Sequence, residues 1–449
     1  MEILKTKIKL IPNLVSSRSL TIHPQLATKL SLNKEEKRII NFGILSWDSK
    51  IVISSEIEPD EIIVSPKIIE ALKIPLAPKY EIQLNSNQLV FGPYIGILAA
   101  KTNDKLDQIV NNLSNYVYHY QNIGGAILAF SLDGVDRENK LIRGYIFNPL
   151  KQQWDLGFYP YPSAILQRIN INRCWKNHFQ TTIGNCIFNN YIFDKWEMHK
   201  WLSKNSKVNS FLPETILYRK AKDLFWFLEN HPKAYVKPLS GSQGTGVIEA
   251  SKKGNFVLLR YRIGEQNCEA YCESTQELET IFKLILSKGR YIIQQGIDLI
   301  TQEDRIIDFR LLIIKNQFGD WEDMGMIGRY SKPKSVISNI SGGGRAELGE
   351  DTLKEVLQLT DEEVYKLRIQ LSRVAMEAAK SIEACGIHCG NLGIDLGLDK
   401  KQQIWIIEIN NRDPNHTIAI DAGSRKIFYQ VKLANMLYAK KLAGFAKEL

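Results

Sequence analysis

Cysteine is scarce in this chain, with 6 among 449 residues. That number does not make a disulfide scaffold. Cys268, Cys272, Cys385, His388 and Cys389 have short gaps between them, but their surroundings are apolar rather than knuckle-like, so free thiols are the expectation and a structural zinc is not. No apolar run approaches the length of a transmembrane helix. The opening residues, MEILKTKIKLIPNLV, carry lysines but neither a long apolar core nor a small-residue cleavage site, so they do not read as a signal peptide. A cytoplasmic protein without a membrane span is the expectation. Internal repeats, low-complexity tracts and nucleic-acid motifs are all missing. So is any Ser-His-Asp or Cys-His pattern, which turns attention to chemistry that needs no nucleophilic side chain. His388 and His416 are read as packing or surface residues.

What remains is an ordinary globular composition, 44% apolar and 24% charged, in a chain long enough for two or three domains. The net charge of +9 favours anionic partners such as a nucleotide or an acidic substrate. The basic residues are spread along the chain, so a solvated basic surface is expected and direct nucleic-acid binding is not.

Residues 1–160 read as a β-rich piece followed by an α/β piece. Ile51–Ser54, Glu61–Val64, Tyr80–Leu84, Gln88–Phe91 and Ala126–Phe130 have strand character, and Lys105–Tyr120 has helical spacing. Tyr159-Pro160-Tyr161-Pro162 opens a linker expected over 161–187. From 188 to 449 the texture changes. Helices are predicted from Asp194 through Leu202, over Ala221–Glu229 and over Asp361–Ala384. The last has an apolar stripe of Val364, Leu367, Leu371, Val374, Ala378 and Ile382, and a stop at Gly386. Asp308–Lys315 and Trp321–Arg329 are expected to pair as antiparallel strands.

The most informative segment is Ile404–Pro414, IWIIEINNRDP. An apolar run ends in Glu408, Ile409 and Asn410, and side chains two apart on a strand share a face. Glu408 and Asn410 therefore project together while Ile409 faces the core. Asn391–Leu396 reads as a partner strand across a turn at Asp399-Lys400-Lys401, which would bring Asp395 beside Glu408. Two carboxylates and an amide oxygen suit a hard cation such as Mg²⁺ held against a polyphosphate. Upstream, Ser240-Gly241-Ser242-Gln243-Gly244-Thr245-Gly246 can bend around phosphates and offer N–H donors, or can be a plain hairpin turn. It is neither a Walker A loop nor a dinucleotide fingerprint. Lys237, at the end of the preceding strand, can reach phosphates held under that loop. Arg310 and Arg329 add cations on the next strands. The loop Ser338–Gly344, with three consecutive glycines, is either a mobile cover for substrate or an inert connection.

In this order the features resemble the ATP-grasp fold, and within it the endospore coat-associated YheC/YheD family. The order runs Asp194-Lys195, Lys237 with its glycine loop, Gln294-Gln295-Gly296-Ile297, Arg310, Arg329, Asn339 with glycines, and Asp395…Glu408-x-Asn410. Phe91–Leu98, Phe188-Asn189 and Leu212–Thr215 extend the likeness over nearly the whole chain. After Pro162 the family tends to carry an aromatic-Asn-Arg-Ile-Pro run, of which Leu166–Asn170 keeps Arg168 and Ile169. The resemblance implies two α+β subdomains clasping ATP, preceded by the β-rich and α/β region. It implies Lys195 and Lys237 on the phosphates, together with Ser240, Gly241, Ser242, Gln243 and Gly244. Gln294, Gln295 and Ile297 would lie at the adenine. Asp395, Glu408 and Asn410 would hold Mg²⁺, with Mn²⁺ admitted in its place. Arg310, Arg329 and Asn339 would stand near the γ-phosphate and acceptor. The activity implied is ADP-forming ligation of a carboxylate to an amine, both unidentified. The family name also implies spore-coat proteins as partners, and an ATP-binding coat protein with little turnover as the alternative. A small-molecule kinase is a third reading compatible with the metal residues.

Overall fold

Four β-sheets follow one another along the chain, each with its own apolar packing. The computed structural model describes residues 2–13, 19–241, 245–264, 266–333, 344–411 and 413–446, without the side chains of 2–7. The first sheet is a closed barrel of seven strands: Glu2–Pro12, Ser19–Ile22, Lys37–Phe42, Leu45–Ile53, Glu61–Val64, Lys79–Asn85 and Gln88–Gly92. Alternation fills its interior, with Ile40, Phe42, Tyr80, Ile82, Leu89 and Phe91 all buried. Closure leaves no unpaired strand edge.

The second sheet joins the barrel to the rest. Its strands lie in the order Gln153–Pro160, Leu141–Asn148, Ala126–Asp136, Tyr94–Ala100, Ala164–Gln167, Ile187–Phe188. Two sequence expectations change here. Residues 161–187 are not an irregular linker. Tyr161 is fully buried, Ala164–Gln167 pairs in parallel with Tyr94–Ala100, and Arg173–Ile183 is a helix capped by Asn172. The prolines punctuate a turn within the sheet. The stretch Lys105–Tyr120 is not one helix: an α-helix covers Asn103–Ile109 and a 3₁₀ turn covers Val110–Tyr116. Asn111, Asn112, Ser114 and Asn115 explain the break, since short polar side chains bond nearby backbone, as the Asn115 amide does to the Asn112 carbonyl at 3.1 Å.

The third sheet carries the glycine-rich loop. It is wholly antiparallel, in the order Thr215–Tyr218, Tyr291–Gln295, Lys233–Pro238, Ile248–Lys253, Phe256–Ile263, Gln266–Cys272. The fourth sheet runs Arg345–Leu348, Trp321–Tyr330, Arg305–Lys315, Asn391–Leu398, Ile404–Asn410. The expected strand pair around Asn316–Asp320 and the expected Asp399 turn are both present. Helix Asp361–Ala384 packs its six-residue stripe on this sheet. A capping box of Thr360 and Glu363 starts it, and Gly386, at φ +80°, ends it in a conformation only glycine adopts cheaply. Burial of each large apolar side chain in the stripe stabilises by about 1.5–3 kcal/mol, which fixes the sheet face that bears the site.

Helix Arg425–Leu442 binds three of these bodies together. Phe428 and Val431 pack under the fourth sheet, Met436 and Ala439 under the second. Its Lys440 pairs with Glu81 of the barrel, both buried. No helix among the described residues is long and apolar enough to cross a membrane.

Candidate nucleotide and metal site

Strand alternation decides which side chains meet at the end of the fourth sheet. Phe309, Leu311, Ile313, Leu392, Ile394 and Leu396 point into the core under helix Asp361–Ala384. Asp308, Arg310, Asn391, Gly393 and Asp395 therefore take the opposite face. Register then sets the pairs: Arg310 lies opposite Asp395, Asp308 opposite Arg329, and Asp395 opposite Glu408. The last pairing needs a bulge. Leu396 pairs with Ile406 while Asp395 pairs with Glu408, so Ile407 is the extra residue that brings Glu408 level with Asp395.

Asp395 is the hub. Its Oδ1 accepts from Arg310 Nε, and its Oδ2 accepts from Arg310 Nη2 at 2.9 Å, Arg329 Nη2 at 2.9 Å and Asn410 Nδ2 at 3.4 Å. Arg329 also forks onto Asp308 at 2.6 and 2.7 Å. Burial works to raise the Asp395 pKa, but the guanidiniums of Arg310 and Arg329 outweigh it and hold the carboxyl below its ordinary value. Asp308 is the member that the sequence reading passed over. The signal was present: in Asp308-Phe309-Arg310 the two charged residues share a face, and an acid inward of a functional arginine needs a cation of its own.

Two lysines face this hub from the other side. Lys195, the first residue of helix Lys195–Leu202, reaches Glu408 Oε1 at 3.0 Å and the Gly241 carbonyl at 3.3 Å. The helix is held there by its Asp194 and Glu197 capping box. Lys237 is partly buried and donates to Gln294 Oε1 at 2.6 Å, and Gln294 in turn donates to Thr215 at 3.2 Å. Burial pushes the Lys237 pKa down to about 8; Glu408 opposes that shift and Lys195 adds to it. Around the hub, Lys195, Lys237, Arg310 and Arg329 meet three carboxylates, Asp308, Asp395 and Glu408, so the site is balanced for an added anion.

Ser240 and Gly241 are exposed at the end of strand Lys233–Pro238, while Ser242, Gln243, Gly244 and Asn339 lie outside the described residues, as do positions 338–343 of the Ser338–Gly344 loop. The Gln295 and Gly296 amides donate to the Glu214 and Lys233 carbonyls at 2.8 and 2.9 Å. Ile297 lies just beyond them, where the strand has ended. The donor set fits a hard cation. Among the described residues Asn410 Oδ1 and Glu408 Oε2 accept no hydrogen bond, and Asp395 Oδ1 accepts only one. Glu408 and Asn410 carry that fit, because the charge of Asp395 is already committed to two arginines. His388 bonds the Tyr438 hydroxyl at 2.8 Å, away from the hub, and His416 bonds Asn391 at 3.1 Å.

Two α+β sheets that close a basic, glycine-edged cleft over a carboxylate–amide hairpin define an ATP-grasp protein. The family model described as YheC/D like ATP-grasp matches residues 184–442, and the chain belongs to that family. Among curated proteins it is similar to the endospore coat-associated protein YheD of Bacillus subtilis (strain 168), 24% identical over 398 residues, which cover 85% of this chain and 86% of the relative. It is also similar to the endospore coat-associated protein YheC of the same organism, 25% identical over 229 residues, covering 50% of this chain and 61% of that relative. Among solved structures it is similar to the VanG D-Ala:D-Ser ligase of Enterococcus faecalis, with a TM-score of 0.44, 11% identity, and 78% and 98% of the two chains covered. The D-alanine-D-alanine ligase of Coxiella burnetii gives a TM-score of 0.44 at 9% identity, with 78% and 97% covered.

Proposed function

We propose that the chain is an ATP- and Mg²⁺-dependent carboxylate–amine ligase that works through an acyl phosphate. The observation that carries this reading is the convergence of Lys195, Lys237, Arg310 and Arg329 with Glu408, Asn410 and Asp395 at one end of two facing sheets. In this reading Lys195 and Lys237 hold the ATP phosphates, with Ser240, Gly241 and the loop residues 242–244 beside them. The backbone at Gln294, Gln295 and Ile297 borders the adenine. Glu408 and Asn410, with Asp395, hold the metal ion. That ion, when bound, neutralises charge on the transferring phosphoryl group. Arg310 and Arg329, fixed by Asp395 and Asp308, present cations where charge gathers on that group and need no reorganisation to do so. A carboxylate oxygen takes the γ-phosphoryl group as ADP leaves, and an amine then displaces phosphate from the acyl carbon. Asn339 is assigned to the acceptor side.

Product analysis tests this reading. Purified protein, ATP and Mg²⁺ are incubated with panels of acids and amines, and hydroxylamine is added to intercept the acyl phosphate as a hydroxamate. ADP, phosphate and hydroxamate are expected. AMP and pyrophosphate would refute the mechanism. A second reading draws on the relatives named as endospore coat-associated proteins: a nucleotide-binding coat component of the cytoplasm or the forming coat, with spore-coat proteins as partners. Tight ATP binding without turnover on any panel, with coat proteins retained by the loaded chain, would favour it.

A further inference from the structure

The second sheet reverses its winding between strands Tyr94–Ala100 and Ala164–Gln167. From the first of these the chain crosses one face, where Leu106, Val110 and Leu113 pack on Ile95 and Ile97, and returns as the parallel strand Ala126–Asp136. From the second it crosses the other face, where Phe179 packs near Leu98 and Ile165, and returns as the parallel strand Ile187–Phe188. Where crossovers part to opposite faces, a crevice opens outside the carboxyl ends of the two strands, and ligands of such sheets sit there. Arg168 is the first residue past Gln167, with its amide bonded to the Leu98 carbonyl at 3.1 Å. It stands at that crevice.

The facing wall belongs to the fourth sheet and its helices. Arg168 donates Nε and Nη2 to Asp413 Oδ2 at 3.1 and 2.7 Å. Asp413 has a φ of +117°, a strained backbone for a residue with a side chain. Lys432, which like Arg168 lies over the Tyr116 ring, is only 8% exposed. Its ammonium bonds the Tyr116 hydroxyl at 3.1 Å and His416 Nδ1 at 3.2 Å, and no carboxylate among the described residues lies within ion-pair distance. His416 is buried, and burial, then Lys432, Arg168 and Arg310, hold its pKa well below the ordinary value. It is a neutral acceptor here and does not balance Lys432. Two cations thus face one carboxylate in a largely desolvated crevice. An uncompensated buried charge is destabilising, and such departures concentrate at functional sites.

This cluster is continuous with the phosphoryl-transfer site but distinct from it. Asn391, which holds His416, and Asp395 share one strand face, four residues or about 13 Å apart. Between them, Arg310 and Pro414 close over Gly393, where an added Cβ would come within 3.1 Å of Arg310 Cδ and 2.9 Å of Pro414. We propose that the crevice anchors a second, unreactive carboxylate of a co-substrate, with Arg168 as the direct contact and Lys432 and Tyr116 positioned behind it. This rests on the ligase reading and adds a substrate class to it: the acid is a dicarboxylate, or the amine is an amino acid or peptide with a free carboxyl end.

Two binding series separate these sources, both by calorimetry on the full chain saturated with Mg²⁺ and a non-hydrolysable ATP analogue. One compares five- to eight-carbon dicarboxylates with the matching monocarboxylates. The other compares dipeptides with their C-terminal amides. In one series the extra carboxylate should tighten binding at least 10-fold. Arg168→Gln should erase that gain while leaving the affinity for the nucleotide analogue unchanged. Arg168→Lys, which keeps the charge and the Asp413 pair, should retain part of it and guards against a misfolded Gln variant. No carboxylate preference in either series would overturn the inference. So would a loss of nucleotide affinity and thermal stability in step with carboxylate affinity, which marks mere packing between sheets. ADP formation with acids and amines that lack a second carboxylate would overturn it too, while leaving the ligase reading intact.

Discussion

At pH 8, binding of Mg-ATP should draw about half a proton per molecule into the protein, and Lys237→Met should abolish that uptake. The reasoning starts from the Lys237 ammonium, which burial brings to a pKa of about 8 while it leans on Gln294. The ordinary lysine value is about 10.4. Between these two pH values the unfolded chain holds the proton and the folded chain does not, so stability of the free protein rises with pH across that window. Below about pH 8 both states hold the proton, and the folded state carries the full cost of a desolvated cation. A polyphosphate beside Lys237 restores the charged form. At pH 9 the uptake should approach one proton, and below pH 7 it should vanish, because the lysine is already charged. Phosphate groups, with a second pKa near 6, contribute little above pH 8. Titration calorimetry in two buffers of different ionisation enthalpy reads the proton count directly. The methionine variant should also bind nucleotide about 10- to 100-fold more weakly, as expected for one charge-assisted contact, yet unfold at no lower temperature below pH 8. Unchanged proton stoichiometry in Lys237→Met would refute both the assigned pKa and the assigned contact.

Three further outcomes are expected. Glu408→Gln keeps the shape of a side chain that is about one-third exposed and tied to Lys195, so turnover in the ADP assay should fall by at least about 10- to 100-fold, the range for losing even a partner behind a metal ligand, with little change in the melting temperature. Asp308→Asn leaves the buried Arg329 with Asp395 as its one remaining carboxylate among the described residues, and denaturant unfolding should show a loss on the order of 3 kcal/mol. Lys195→Ala removes the ammonium that donates to both the Gly241 carbonyl and Glu408, and should raise the KM for ATP more than it lowers kcat.

Much of this architecture was legible where local pattern and tertiary packing agree. The hairpin Asn391–Asn410 and the helix Asp361–Ala384 were readable because an apolar period, a turn and a cap all pointed the same way. The strands that flank the glycine loop, Lys233–Pro238 and Ile248–Lys253, pair antiparallel, as the β-like runs on either side of it suggest. What sequence spacing could not give was register. The spacing of Glu408 and Asn410 puts them on one face, but the bulge at Ile407 that levels Glu408 with Asp395 has no signature of its own. Nor does spacing reveal that Arg310 closes on Asp395, 85 positions away, so that the carboxylate expected as a free metal ligand is largely committed. The crevice at Arg168 was hidden for the same reason, because Asp413 lies 245 positions further on. The expected linker failed because prolines mark turns inside a sheet as readily as they mark boundaries.

The helix Arg425–Leu442 has a consequence for the order in which the protein is made. Lys440 meets Glu81 across 359 positions of chain, and Lys432 meets Tyr116 across 316. A ribosome therefore emits the barrel long before the cation that pairs with Glu81, on the barrel's outer face, exists. During that interval Glu81 and the apolar flank at Tyr116 and Leu166 stay uncovered, a state suited to chaperone capture and poorly suited to folding alone. The earliest part of the chain thus reaches its final form only after the latest helix has docked, and loss of that helix should be felt first in the barrel, far from any nucleotide.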